Sequence, residues 1–364
     1  MQEFTLTFFL RVDIIEFIRL IYIFLILIAM LFSFILYTAI HKKRIEKNKK
    51  SWQQIFSTAI SQAILLSDEK EEIIDVPVKI KKLLKRPLFR QFAINELIDA
   101  KKNLSGESTL NLIKLYETLQ LHIDSCKKLH DRRWHIKAKG IQELGIMDQR
   151  KYINEIFSFT NHPNELVRNE AQCSVASLCG FNGMQFLDVT DYPISQLQQI
   201  QLLNKLKSLK PKDSAGLRKW LRSSNESESI LAIKFATFYN CYDLYDDIIN
   251  CLQSSCLDIK LNVLEYMKKV PREDSPGIMV SHYFFKNKLF KLAVIDALKD
   301  IGSENEISFL LNLLYEEDNE IKAAAAKSLS VLQPSGTAFL QTSVFADQNP
   351  WKEIFMEIKN ERAA

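Results

Sequence analysis

The sequence predicts an all-α protein: a single transmembrane helix followed by a right-handed α-solenoid of about eight helix–turn–helix repeats. Three observations carry this expectation. An uncharged run of 21 residues stands near the N-terminus, from Leu20 to Ile40. Elsewhere, apolar residues recur with the helical period and never in sustained polar–apolar alternation. One helical pattern also returns about every 31 residues through the C-terminal part of the chain. With only 9 Gly and 9 Pro in 364 residues, hairpin-rich β architectures and low-complexity classes are disfavoured.

The short N-terminus, residues 1–19, precedes LIYIFLILIAMLFSFILYTAI, residues 20–40. At a rise of about 1.5 Å per residue this run is about 31 Å long, the thickness of a bilayer's hydrocarbon core. A secretory signal peptide has a shorter apolar region and a small-residue cleavage site, whereas His41-Lys42-Lys43-Arg44 follows here. An uncleaved single-pass anchor in the cell (inner) membrane is the expectation. Lys42, Lys43, Arg44, Lys47, Lys49 and Lys50 follow the run, and only Arg11 and Arg19 precede it, mixed with Glu3, Asp13 and Glu16. The positive-inside rule then puts the N-terminus outside and the C-terminal body in the cytoplasm. Cysteines 126, 173, 179, 241, 251 and 256 form no CxxC pair, as expected of reduced thiols buried as small hydrophobes.

Residues 41–85 read as a basic juxtamembrane segment and an amphipathic helix, and residues 86–131 as an N-terminal helical cap. Ser51-Trp52-Gln53-Gln54 has capping-box spacing, and Trp52, Ile55, Phe56, Ala59, Ile60 and Ala63 share one helical face. That face either lies on the lipid surface or packs on the N-terminal end of the solenoid, the second being the simpler reading. Pro77 marks the entry to a further helix, with Lys79, Lys81, Lys82, Lys85 and Arg86 beyond it. Residues 41–150 hold 23 Lys and Arg against 14 Asp and Glu, a net of +9, while 151–364 carry −4. Lys42, Lys43 and Arg44 therefore suit anionic lipid. Nucleic acid is not expected as a partner, because the chain is tethered and its C-terminal half is acidic.

The repeats occupy residues 132–364. Each begins with an apolar residue, often followed by a basic one, and has a second small or apolar residue four positions on. Trp134 with Ala138, Val167 with Ala171, Ile259 with Val263, Leu289 with Ala293, Ile321 with Ala325, and Ile354 with Ile358 are the instances. The wide gap from 167 to 259 requires two degenerate copies near 198 and 230. The first of these is the weakest, with Gln201 four positions after Leu197. Partner helices precede each copy, as in Ile153 with Ile156, Leu244 with Ile248 and Leu252, and Ile307 with Leu310 and Leu314. Polar turns such as Asn161-His162-Pro163-Asn164 join them. Asn349-Pro350 reads as the start of a last, capping helix with Trp351, Ile354, Phe355 and Ile358 on its apolar face.

The stretches NHPNELVRNEAQCSVASLCG, NKLFKLAVIDALKDIG and NEIKAAAAKSLSVL resemble the second helix of HEAT and HEAT-like repeats, over roughly Arg132 to Lys359. The Trp, Gly-Tyr and terminal Pro signals of tetratricopeptide repeats are missing. The resemblance implies a curved scaffold presenting a groove to a protein partner. Membrane-anchored bacterial versions resemble proteins that accompany envelope glycosyltransferases.

Catalysis has little support in the sequence. There is no GxxxxGK[ST], HExxH or GxSxG, and no GxGxxG after a strand. His122, Cys126 and His130 stand four apart on a helix, but the outer pair is separated by about 12 Å of rise, and a stripe of partly buried side chains is the simpler reading. Asp243, Asp246 and Asp247 read as a solvated helix face. The expectation is a non-enzymatic, membrane-tethered scaffold without catalytic, cofactor-binding or metal-ligating residues. The alternative is an anchored HEAT-like enzyme of the lyase or nucleic-acid-repair type.

Overall fold

The computed structural model describes residues 2–65, 76–104, 106–207, 214–285 and 287–332, together with 353 and 356. Among these the chain is all-α, without a strand, and it divides into two compact units, Met1–Lys127 and Lys128–Ala364.

The first unit is built on α1 (Gln2–Leu65), 64 residues long and unbroken. No Gly or Pro occurs before residue 76, so no helix breaker interrupts it. Ser51 therefore lies in a helix interior, and the new helix start expected from the capping-box spacing is absent. Every described side chain from Phe17 to Ser51 is exposed, and the first buried one is Trp52. From there Trp52, Phe56, Ala59 and Ala63 turn inward. α2 (Val78–Leu83) does enter at Pro77, and α3 (Pro87–Lys102) and α4 (Glu107–Thr118) both pack on α1. Phe89 meets Trp52 and Phe56 edge-on, with ring centroids 5.5 and 5.9 Å apart, and Phe92 completes the cluster. The amphipathic face is thus a protein contact and not a lipid one. α5 (His122–Leu129) is held by an Arg90–Asp124 ion pair and by the Tyr116 hydroxyl, which donates to Ser125 at 2.8 Å.

The second unit alternates shorter and longer helical pieces. In chain order they are α6 (Trp134–Ile146), α7 (Ile153–Ser158), α8 (Glu165–Cys179), a 3-10 stretch Gly180–Asp188, and α9 (Gln196–Leu206). Then come α10 (Ala215–Leu221), α11 (Glu226–Tyr239), α12 (Tyr245–Asn250) and α13 (Leu257–Lys269). α14 (Ser275–His282), α15 (Lys288–Ile301), α16 (Ile307–Leu313) and α17 (Asn319–Leu332) follow. Successive long helices pack on one another: α6 on α8, α8 on α9, α11 on α13, α13 on α15, and α15 on α17.

The register of this unit is set by the residue before each long helix. Those residues are Arg133, Asn164, Ser195, Asn225, Cys256 and Asn287, in steps of 31, 31, 30, 31 and 31. Asp318, a further 31 on, accepts hydrogen bonds from the backbone N–H groups of Glu320 and Ile321. Asn164, Ser195, Asn225 and Asn287 likewise cap their helices by accepting from the first turn, where backbone N–H groups otherwise lack partners. Counted from these positions, the seventh residue is buried in every helix: Gly140, Ala171, Leu202, Ala232, Val263, Val294 and Ala325. So is the eleventh, from Leu144 to Leu329. Close approach is explicit between α6 and α8, where a Cβ on Gly145 would sit 2.3 Å from Ser174 Oγ. Buried Ser174 and Ser328 each donate across to a carbonyl 33 residues earlier, of Ile141 and Ile295.

This register corrects three of the sequence-derived pairs. Ala171, Val263 and Ala325 occupy the seventh position as expected, but Trp134 with Ala138, Leu289 with Ala293, and Leu197 with Gln201 were displaced by one or two residues. Val294 is buried and Ala293 only half so; Leu202 fills the slot that Gln201 had been given. The final pair, Ile354 with Ile358, and the Asn349-Pro350 start lie outside the described residues.

Candidate partner-binding face

The side of each long helix that is not packed forms a recurring surface. Two residues after each cap stand His135, Leu166, Leu197, Ser227, Asp258, Leu289 and Glu320, all exposed except half-buried Ser227. Leu166, Leu197 and Leu289 are 53, 67 and 62% exposed, and Ile200 lies one turn beyond Leu197. Single exposed leucines are ordinary, but Leu166, Leu197 and Leu289 share one helical position with exposed His135, Asp258 and Glu320, which makes a mixed apolar and polar face. Side chains also link neighbours along it at a separation of 28 residues. Gln142 donates to Glu170 at 3.0 Å, Cys173 meets Gln201 at 3.8 Å, and Lys268 pairs with Asp296 at 3.0 Å.

The face opens into a polar cleft of about 550 Å³ lined by residues of α9, α11 and α13, among them Ser195, Gln199, Asn225, Lys234, Asp258 and Asn262. Its origin is local. Polar bonds join α9 and α11: Lys234 Nζ donates to Gln199 at 2.8 Å, and Ser227 Oγ accepts from the Ile194 N–H at 2.8 Å. Burial lowers the Lys234 pKa, with Asp258 opposing. Cys173, on the same face, is pushed up to about 11, chiefly by burial and then by Glu170, so at neutral pH it is a thiol and a poor nucleophile.

The residues weighed in the sequence fall as follows. His122 opens α5, Cys126 is half-buried on it, and His130 follows it, with Nε2 3.4 Å from an exposed Glu155 carboxylate. Of the aspartates near 245, Asp243 and Asp246 are exposed, Asp246 meeting Arg272 at 3.0 Å, while half-buried Asp247 pairs with Arg218 at 2.7 Å and Arg222 at 2.9 Å. All six cysteines are free, yet none is fully buried, and Cys179 is exposed. The exposed leucine row escaped sequence reasoning because attention to apolar spacing assigns every leucine inward. The caps at 164, 195, 225, 287 and 318 were the available signal.

No family model and no curated protein matches the chain. Among solved structures, human deoxyhypusine hydroxylase in complex with glycerol is 12% identical over 78% of this chain and 98% of its own, with a TM-score of 0.30. An engineered protein is 13% identical over 78% of this chain and 97% of its own, with a TM-score of 0.31.

Proposed function

We propose that the protein is a non-enzymatic scaffold, anchored in the inner membrane by Leu20–Ile40, whose second unit is a right-handed α-solenoid of HEAT-like repeats that holds a protein partner. The observation that carries this reading is the series of helix starts at steps of 30 or 31 residues, each placing the same position inward and, except at half-buried Ser227, the same position outward. Asn349 stands a further 31 residues beyond Asp318, which suits an eighth copy. The tether is supported by one helix, among the described residues, long and apolar enough to cross a membrane, whose apolar stretch no described residue covers. Lysines 42 and 43 beyond it favour a cytoplasmic body and anionic lipid.

The face suits a protein partner: it pairs exposed leucines with amide and charged side chains, the mixture typical of non-obligate interfaces. A photoreactive residue at Leu197 or Leu289, activated in intact membranes and followed by pull-down, tests it. A discrete protein adduct from both positions, absent from exposed Lys219 on the short helix α10, is the expected result. Equal adducts from all three, or none, would remove the scaffold reading.

A further inference from the structure

The stack of long helices in the second unit opens at one joint. α8 packs on α9 and α11 on α13, whereas the backbones of α9 and α11 approach least closely of the successive long helices. Side chains hold that joint instead. Ser227 Oγ accepts from the Ile194 N–H, the Tyr239 hydroxyl donates to the Leu206 carbonyl, and Lys234 donates to Gln199. Ser227 also takes the position, two residues after the cap, that Leu166, Leu197 and Leu289 fill on other helices. Its small side chain leaves room for the cleft of about 550 Å³ that it lines.

The three charged groups lining the cleft differ in burial. Glu226 and Asp258 are exposed, and neither has an ion pair among the described residues. Lys234 is half-buried, and only one of its ammonium N–H groups has a partner among the described residues, Gln199 at 2.8 Å. Burial lowers its pKa despite the opposing effect of Asp258, so its charge is left undercompensated. A solvated carboxylate gains little from a new ion pair, whereas an ammonium already short of water gains more. The cleft therefore favours an entering anion over a cation. Asn262 Nδ2 is occupied by the Asp258 carbonyl at 2.7 Å, which leaves its Oδ1 to accept, and Ile230 and Leu261 add half-buried apolar surface. Three helices at spacings of about 8–10 Å span about 20 Å, which an extended chain crosses in about six residues. We infer that the cleft takes an extended segment of a partner protein whose Asp or Glu side chain pairs with Lys234. Its main chain lies against Asn262, with apolar side chains on Ile230 and Leu261. This rests on the reading that this face holds a protein partner, and it adds the sign of the partner's charge.

The test pans the full chain, held in lipid nanodiscs, against a phage-displayed library of random linear peptides. Enriched peptides that share an Asp or Glu beside apolar residues are the expected result. As synthetic peptides they should bind several-fold more weakly to Lys234→Gln. They should bind more tightly to the Glu226→Gln/Asp258→Asn chain, where the repelling carboxylates are gone. A folding defect would weaken binding in both variants, so the opposite signs separate charge recognition from damage. Enriched peptides that are basic, and weakened by the Glu226→Gln/Asp258→Asn change, would overturn the proposal. Peptides lost in Leu197→Glu but indifferent to Lys234→Gln would also overturn it, while leaving the partner-binding face in place. An absence of any enriched peptide would overturn it too, and the adducts at Leu197 and Leu289 would then decide the face separately.

Discussion

Ala325 has no exposed surface and occupies the inward seventh position of α17, while Lys322 is half-exposed one turn earlier. Ala325→Glu buries an unpaired charge and should cost several kcal/mol, whereas Lys322→Glu should be mild; thermal denaturation of the isolated variants compares them. Equal melting would put the register in error. Cys256 tests the caps in the opposite direction. Its backbone has the extended conformation of its capping neighbours, but its side chain caps nothing. Cys256→Asn should therefore stabilise by about 1 kcal/mol, read as a raised melting temperature, and an unchanged or lowered value would count against the cap series. Asp247 supplies a pH dependence. Hydrogen bonding to Arg218, against the opposing effect of burial and with help from Arg222, lowers its pKa in the folded chain. Its contribution is present above the ordinary carboxylate value, about 3.9, and is lost as pH falls through the lower folded value. The wild type should thus lose more stability than Asp247→Asn on acidification below about pH 4. Parallel curves would deny the ion pair a role.

At the scale of elements, helix existence was far more legible than helix register. Copies inferred near 198 and 230 from gap arithmetic alone correspond to α9 and α11. Their register was obscured because buried polar residues occupy positions where apolar ones were sought. Gln198 lies inward at the third position of α9, donating to the Asn169 carbonyl, and Glu228 does so in α11, accepting from Ser223 and Asn225. An apolar template slides past such positions, whereas the capping side chains, fixed by backbone geometry, do not slide. The break expected at Ser51 failed for the converse reason: a local capping pattern has no force in a segment without Gly or Pro whose neighbours on both sides are helical. The aromatic cluster that follows makes its own prediction. Phe56→Ala removes a fully buried ring from between α1 and α3 and should cost about 3–5 kcal/mol of the first unit's stability. Loss of amide protection confined to α3 and α4 is the signature; no change would mean the helices are held elsewhere.

For the whole molecule, the unit of 31 residues and the apolar anchor are separable claims. The repeat claim extends to the C-terminus. Removing residues 350–364 should expose the apolar surface of α17 and cause aggregation, or loss of protection first in α17 and α15, because a stacked array needs a polar end. An unchanged, monomeric truncation would end the array at α17. The anchor claim decides where any partner must be found, and with it the scaffold reading. Two reporters fused in turn after Ala364, a fluorescent protein that matures only in the cytoplasm and a phosphatase active only outside it, measure it directly in living cells. A fluorescent, membrane-sedimenting fusion and a phosphatase without activity are the expected results. An active phosphatase, or a fluorescent fusion that stays soluble, would contradict this topology.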